Sequence, residues 1–233
     1  MIYFSYPDNW NPSANRYDSY DYKNHTKDYR DFRETVGLKN QKLMPPKFSI
    51  SYPVIDNPDS KDNITKINNA IVDEVDKLFR SQVLRPEIIN FAEVLGTYEI
   101  TLNKNGILSI LFALYVYENK AAHGFTLYSS ITANVQKGEV YSFGDLFNPK
   151  MYYIPILNEL AQKYIKENNI LLINKYNGIT ENQQYYLTEN SLVLYYQLYE
   201  YTPHSYGLFK IEIPYSKILN IIGPAGPIPK ILP

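Results

Sequence analysis

From Lys47 onward the chain alternates between apolar and polar positions, and the period of that alternation changes at definite points. In KFSISYPVI (47–55), Phe48, Ile50 and Tyr52 alternate with Lys47, Ser49 and Ser51, which predicts a strand closed by Pro53. The polar stretch DNPDSKDN predicts a loop. Asp62 or Asn63 then caps a helix whose Ile64, Ile67, Ile71, Val75, Leu78 and Phe79 fall on one face. The period returns to two at Tyr98, Ile100 and Leu102, set against Thr97, Glu99 and Thr101. Asn105-Gly106 is a favoured two-residue hairpin turn. The return strand carries Ile110, Phe112, Leu114 and Val116 on one side. A third strand, 125–135, alternates Leu127, Ser129, Ile131 and Ala133 before Lys137-Gly138 turns it towards Val140. These segments form an antiparallel meander.

A second helix is expected over about 154–168, with Leu157, Leu160, Ala161, Tyr164 and Ile165 inward and Pro155 at its first position, where a missing N–H costs nothing. Tyr185–Leu187, the turn TENS and a strand over 192–199 predict a hairpin, and Phe209, Ile211 and Ile213 a last strand ended by Pro214. Two strand groups, each with one helix, give an α+β fold of antiparallel sheets with helices packed on one face. The units run over 47–135 and 136–222, either separate or joined in one compact body. Residues 1–46 mix both charge signs with Tyr and Asn without a period and read as an irregular arm or linker. The tail, 223–233, is rich in Pro and Gly and is expected to lie extended.

Composition then removes several functional classes. Lys and Arg number 23 against 24 Asp and Glu, a net charge of −1, so nothing marks a nucleic-acid surface. The absence of cysteine excludes thiol nucleophiles, iron–sulfur clusters and Cys-zinc sites. No apolar run reaches the ~18–20 residues a membrane-spanning helix requires, and MIYFSYPDNW has no signal-peptide pattern. The chain holds 24 Tyr. Tyrosine suits contact surfaces, yet it is also a common strand residue, so its abundance alone assigns no function.

The search for chemistry finds no catalytic constellation. His25, His123 and His204 are the only histidines, and none is paired at metal-ligand spacing. A site built from His123 with Glu118 and Asp145 is conceivable, but an isolated histidine near a turn is ordinarily structural, so no metal is assigned. Ser205 follows His204 directly, an unfavourable arrangement for a nucleophile and its base. No Gly-rich phosphate loop occurs, and no cofactor is implied. Two loops remain as candidate contact surfaces. One is ENKAAHG (118–124), with His123 and Gly124. The other is YEYTPHSYG (199–207), with Tyr199, Tyr201, His204 and Tyr206. For each, an ordinary strand connection is an equally good reading.

The same segments carry a family likeness. YYLTENSLVLYYQLYEYTPHSYG, followed by IEIPYSKI, with AAHG (121–124), GEVYSFGDLF (138–147), FSISYPVI and INNAI, resembles the extracellular domain of RsiV-type lysozyme-sensing anti-sigma factors. The N-terminal module of some peptidoglycan polysaccharide deacetylases shares it. The resemblance implies an extracytoplasmic or spore-associated α+β module whose partner is a protein or cell-wall ligand, with a lysozyme-type muramidase first among them. Neither the membrane helix of the anti-sigma factors nor the catalytic domain of the deacetylases is expected in this chain. Recognition without catalysis is therefore the leading expectation. A structural envelope or spore protein assembling through the Tyr-rich arm is a second reading, and a hydrolase with an unrecognised site a third.

Overall fold

A computed structural model describes residues 46–56, 61–84 and 90–232. The arm expected over residues 1–46 lies, but for Pro46, outside them. Among the described residues the fold is α+β, with two mostly antiparallel sheets and three α-helices. The first sheet has the order β1 (Lys47–Ile50), β2 (Phe91–Lys104), β3 (Ile107–Glu118), β4 (Phe125–Asn134), β5 (Glu139–Val140). The second runs β6 (Tyr185–Leu187), β7 (Ser191–Tyr196), β8 (Phe209–Pro214). Helix α1 (Lys61–Val83) lies over β3, β4 and β5, and α2 (Tyr153–Glu167) packs on β8.

The first core follows the predicted helix face. Ile67, Ile71, Val75, Leu78 and Phe79 of α1 meet Ile110, Phe112, Leu114 and Val116 of β3 and Ile131 and Ala133 of β4. The helix begins one residue before the expected caps, so Asp62 and Asn63 sit inside its first turn. There Asp62 opposes the positive end of the helix dipole. Asn63 instead donates its side-chain amide to the Gln136 carbonyl (2.7 Å), tying α1 to the β4–β5 turn.

Three strand expectations need correction. First, β1 pairs with β2 in parallel, because the connection between them is α1, a crossover rather than a hairpin. Second, Tyr98 and Ile100 are each 41% exposed. They share a face with buried Phe112 and Ile110, but α1 covers β3 to β5 and leaves this part of β2 open. Third, a register shift between Ile100 and Leu102 turns Leu102 away from that face. It joins the second core instead, with Ile107, Leu146, Leu157, Leu187, Phe209 and others.

The C-terminal half departs from expectation at two points. Helix α2 starts at Tyr153, placing Pro155 third, still within the first turn, where the N–H has no helical acceptor. The tail is not extended throughout. Residues Ile228–Ile231 form α3, and Ile228 and Ile231 are fully buried in the second core. Their burial holds a Pro- and Gly-rich segment that has little propensity of its own.

The two sheets are joined by polar side chains as well as by apolar packing. Leu111 of β3 packs with Tyr186, Val193 and Tyr195 of the second sheet. At the centre, Ser109 is fully buried. Its Oγ accepts a hydrogen bond from the Leu187 backbone N–H at 3.0 Å and shares a hydrogen with Thr132 Oγ1 at 2.9 Å. The Ser109→Ala substitution leaves that N–H unsatisfied in the interior and is expected to cost roughly 1–3 kcal/mol. Urea unfolding should show a lower midpoint with an unchanged slope. A midpoint equal to that of the parent would show that the link contributes nothing.

Candidate functional site

The two loops singled out in the sequence meet in space. The β3–β4 connection carries His123, and the connection after β7 carries Tyr199 and His204. The His123 and His204 ring centres are 4.6 Å apart, and those of His204 and Tyr199 are 5.5 Å apart. The Tyr199 hydroxyl lies 3.2 Å from His123 Nε2. His123 and Tyr199 are exposed and His204 is half-buried, so the three rings form a surface cluster.

Each loop is held by its own network. In the first, Asn119 N–H donates to the Asn90 carbonyl (3.0 Å), and the Tyr117 hydroxyl donates to the Ala121 carbonyl (3.1 Å). Gly124 sits against the Tyr115 ring, where a Cβ would come within 2.2 Å, so only glycine fits without displacing that ring. In the second loop, Gln197 replaces a strand rung. Its side-chain Oε1 accepts from Tyr128 N–H (3.0 Å), and its Nε2 donates to the Tyr128 carbonyl (2.9 Å). That pair of bonds fastens the loop to β4. Asn174 Nδ2 donates to the Glu200 carbonyl (2.8 Å), and Glu200 Oε2 accepts from Gln197 N–H (3.0 Å). Tyr199 itself has φ +66°, an uncommon backbone conformation for a tyrosine.

Two other expected contact residues are placed differently. Tyr201 is only 6% exposed and lies in the second core, its ring against Tyr176, Tyr196 and Phe209. It supports the loop from beneath and lines a cavity on the side of Gln183 and Tyr196 rather than joining the histidine rings. Tyr206 is 49% exposed but packs edge-on to Phe209, 6.1 Å away, rather than against the histidines. Under the loop, the Tyr176 and Tyr196 hydroxyls share a hydrogen bond of 2.6 Å. Burial is the main reason that the Tyr176 phenol is pushed up to about 12, and it raises Tyr196 as well.

Asp145, also considered for chemistry, lies apart from the ring cluster. Asp145 Oδ2 accepts from both Ser142 N–H and Ser142 Oγ at 2.7 Å, which ties this carboxylate into its own turn before α2. A cavity of about 320 Å³ lies beside the C-terminal end of α2, lined by residues such as Ile165, Ile170 and Tyr176. Another, of about 310 Å³, is lined by Gln183, Gln184, Tyr196 and Glu200 among others. Neither is lined by His123 or His204. Among the described residues, no three His, Asp or Glu side chains gather as metal ligands, and no helix is long and apolar enough to cross a membrane.

Comparison with known proteins gives a match to one family model over part of the chain and a likeness of fold. Residues 144–216, which include Tyr199 and His204 but not His123, match the model of a family described as "Protein of unknown function (DUF3298)". The fold is similar to the crystal structure of a DUF3298 family protein from Pseudomonas aeruginosa PAO1. The TM-score is 0.50 at 17% identity, covering 70% of this chain and 72% of that one. It is also similar to a member of the same family from Bacteroides fragilis NCTC 9343, with a TM-score of 0.50 at 15% identity, covering 75% of this chain and 74% of that one. No curated protein matches the chain.

Proposed function

We propose that the chain is a non-catalytic recognition module of the bacterial cell envelope or spore surface, acting outside the cytoplasm. Its binding surface is the cluster of His123, Tyr199 and His204. The observation that carries this reading is the convergence of two separately anchored loops on one set of rings at the surface. Rigid aromatic side chains on a fixed scaffold bind partners with little loss of conformational freedom. The resemblance to lysozyme-sensing domains makes a lysozyme-type muramidase the first partner to try and cell-wall fragments the second.

Calorimetry with lysozyme, and separately with muropeptides, tests both. Saturable heat from either is expected, and Tyr199→Ala should weaken it by at least ~2 kcal/mol, roughly thirtyfold, if this ring anchors the interface. No heat from either ligand at high micromolar protein would overturn the reading.

A further inference from the structure

The His123 ring has the hydrogen-bonding pattern of a metal-binding imidazole. Its Nδ1 lies 2.9 Å from the Gly124 carbonyl oxygen. A carbonyl only accepts, so in the neutral ring Nδ1 bears the hydrogen and Nε2 keeps its lone pair. The Tyr199 hydroxyl, 3.2 Å away, then donates to Nε2. Donation of one ring N–H to a backbone carbonyl is how metal-ligating histidines are oriented, leaving the other nitrogen as the ligand.

The second imidazole stands at a suitable distance. A cation held ~2.0–2.1 Å from an imidazole nitrogen lies roughly 3.2 Å from the ring centre. The rings are tilted by 33°, and were one nitrogen of each turned to a shared cation, centres 4.6 Å apart would subtend about 90° at it. That is the angle between neighbouring ligands in square-planar or tetragonal geometry, and it is smaller than the tetrahedral angle that zinc favours. Tyr199 supplies an oxygen on the same side, and the exposure of His123 and Tyr199 leaves the remaining positions to water.

We propose that His123 and His204, with the Tyr199 hydroxyl oxygen, form a surface site for one divalent transition-metal cation, copper(II) or nickel(II) before zinc. Nitrogen donors disfavour calcium and magnesium. The site goes beyond the recognition reading and does not depend on it: a failed lysozyme titration would leave it untouched.

Titration of the full chain with copper(II) near neutral pH, read by calorimetry and electron paramagnetic resonance, is the test. The expected result is one saturable equivalent whose spectrum shows two imidazole nitrogens. His123→Ala and His204→Ala should each weaken it by roughly tenfold or more, and Tyr199→Phe by less. His25→Ala, at the remaining histidine, should leave it unchanged, and calcium should not compete. Affinity should fall as the pH is lowered, because protons compete for the ring nitrogens. Circular dichroism of each variant, with His123→Asn as a second replacement, separates lost binding from lost folding. Absence of saturation at high micromolar copper would overturn the proposal. So would a one-nitrogen spectrum, or binding lost in His25→Ala but retained in folded His204→Ala.

Discussion

Raising the pH above 10 is expected to unfold the chain in one cooperative step. Tyr185, Tyr186, Tyr195, Tyr196 and Tyr215 are each 7% exposed or less, and Tyr176 is half-buried. Burial is the largest cause raising all six phenols, with Tyr176 and Tyr186 pushed up to about 12 and the others higher. In the unfolded chain these groups ionise near the ordinary phenol value of about 10. Above that pH the unfolded state holds fewer protons than the folded one. Their contribution is therefore complete below pH ~10 and is lost as pH rises towards the folded-state values. Each phenol contributes a slope of ~1.4 kcal/mol per pH unit, so two or three together remove a large part of an ordinary 5–15 kcal/mol within about two units. Near-ultraviolet phenolate absorbance of the buried tyrosines should jump as circular dichroism is lost. Tyr196→Phe, which removes one such phenol, should flatten the stability slope by about one phenol's share. A smooth titration of every tyrosine with the fold retained would refute this expectation.

The burial of these phenols also explains why tyrosine content alone assigns no function. A phenol placed by a period-two pattern is apolar enough to enter the core, as Tyr185 and Tyr196 do, yet looks equally suited to a contact surface. The alternation in β3 and β4 marks the face that α1 covers, while the opposite face of β3, with Ser109 and Leu111, is buried by the second sheet. The same pattern failed at Tyr98 and Ile100 because burial depends on where the helix lies, not on the strand alone. Alternation carries no strand direction, so the parallel pairing of β1 stayed hidden. The two loops of the candidate site could be picked out separately from their composition. Their meeting depends on Ser109 and Gln197, two polar residues that no hydrophobic period marks. For the same reason, the pairing of His123 with His204 was not visible at ligand spacing along the chain. It is a product of sheet-on-sheet packing.

Phe209→Ala is expected to cost roughly 3–5 kcal/mol, the range for emptying a fully buried aromatic position. The Phe209 ring stacks on Tyr196 at 5.4 Å and meets the edges of Tyr201 at 6.3 Å and Tyr206 at 6.1 Å. Pairs of this kind add about 0.5–1.5 kcal/mol beyond the area they bury. The loss also reaches the candidate site. Tyr201 and Tyr206 flank His204 in the chain, and Tyr201 anchors the loop through Asn177 N–H donating to its hydroxyl at 3.3 Å. Removing the ring beneath them frees the segment that carries Tyr199 and His204. Phe209→Leu retains most of the volume and should cost less while preserving the loop. Denaturant unfolding of the two variants, with ligand or copper titration of whichever remains folded, separates the two effects. An alanine variant less destabilised than ~1 kcal/mol would mean that the surrounding side chains collapse into the space. Equal stability losses with equal site affinities in both variants would mean that the aromatic layer holds the core but not the loop.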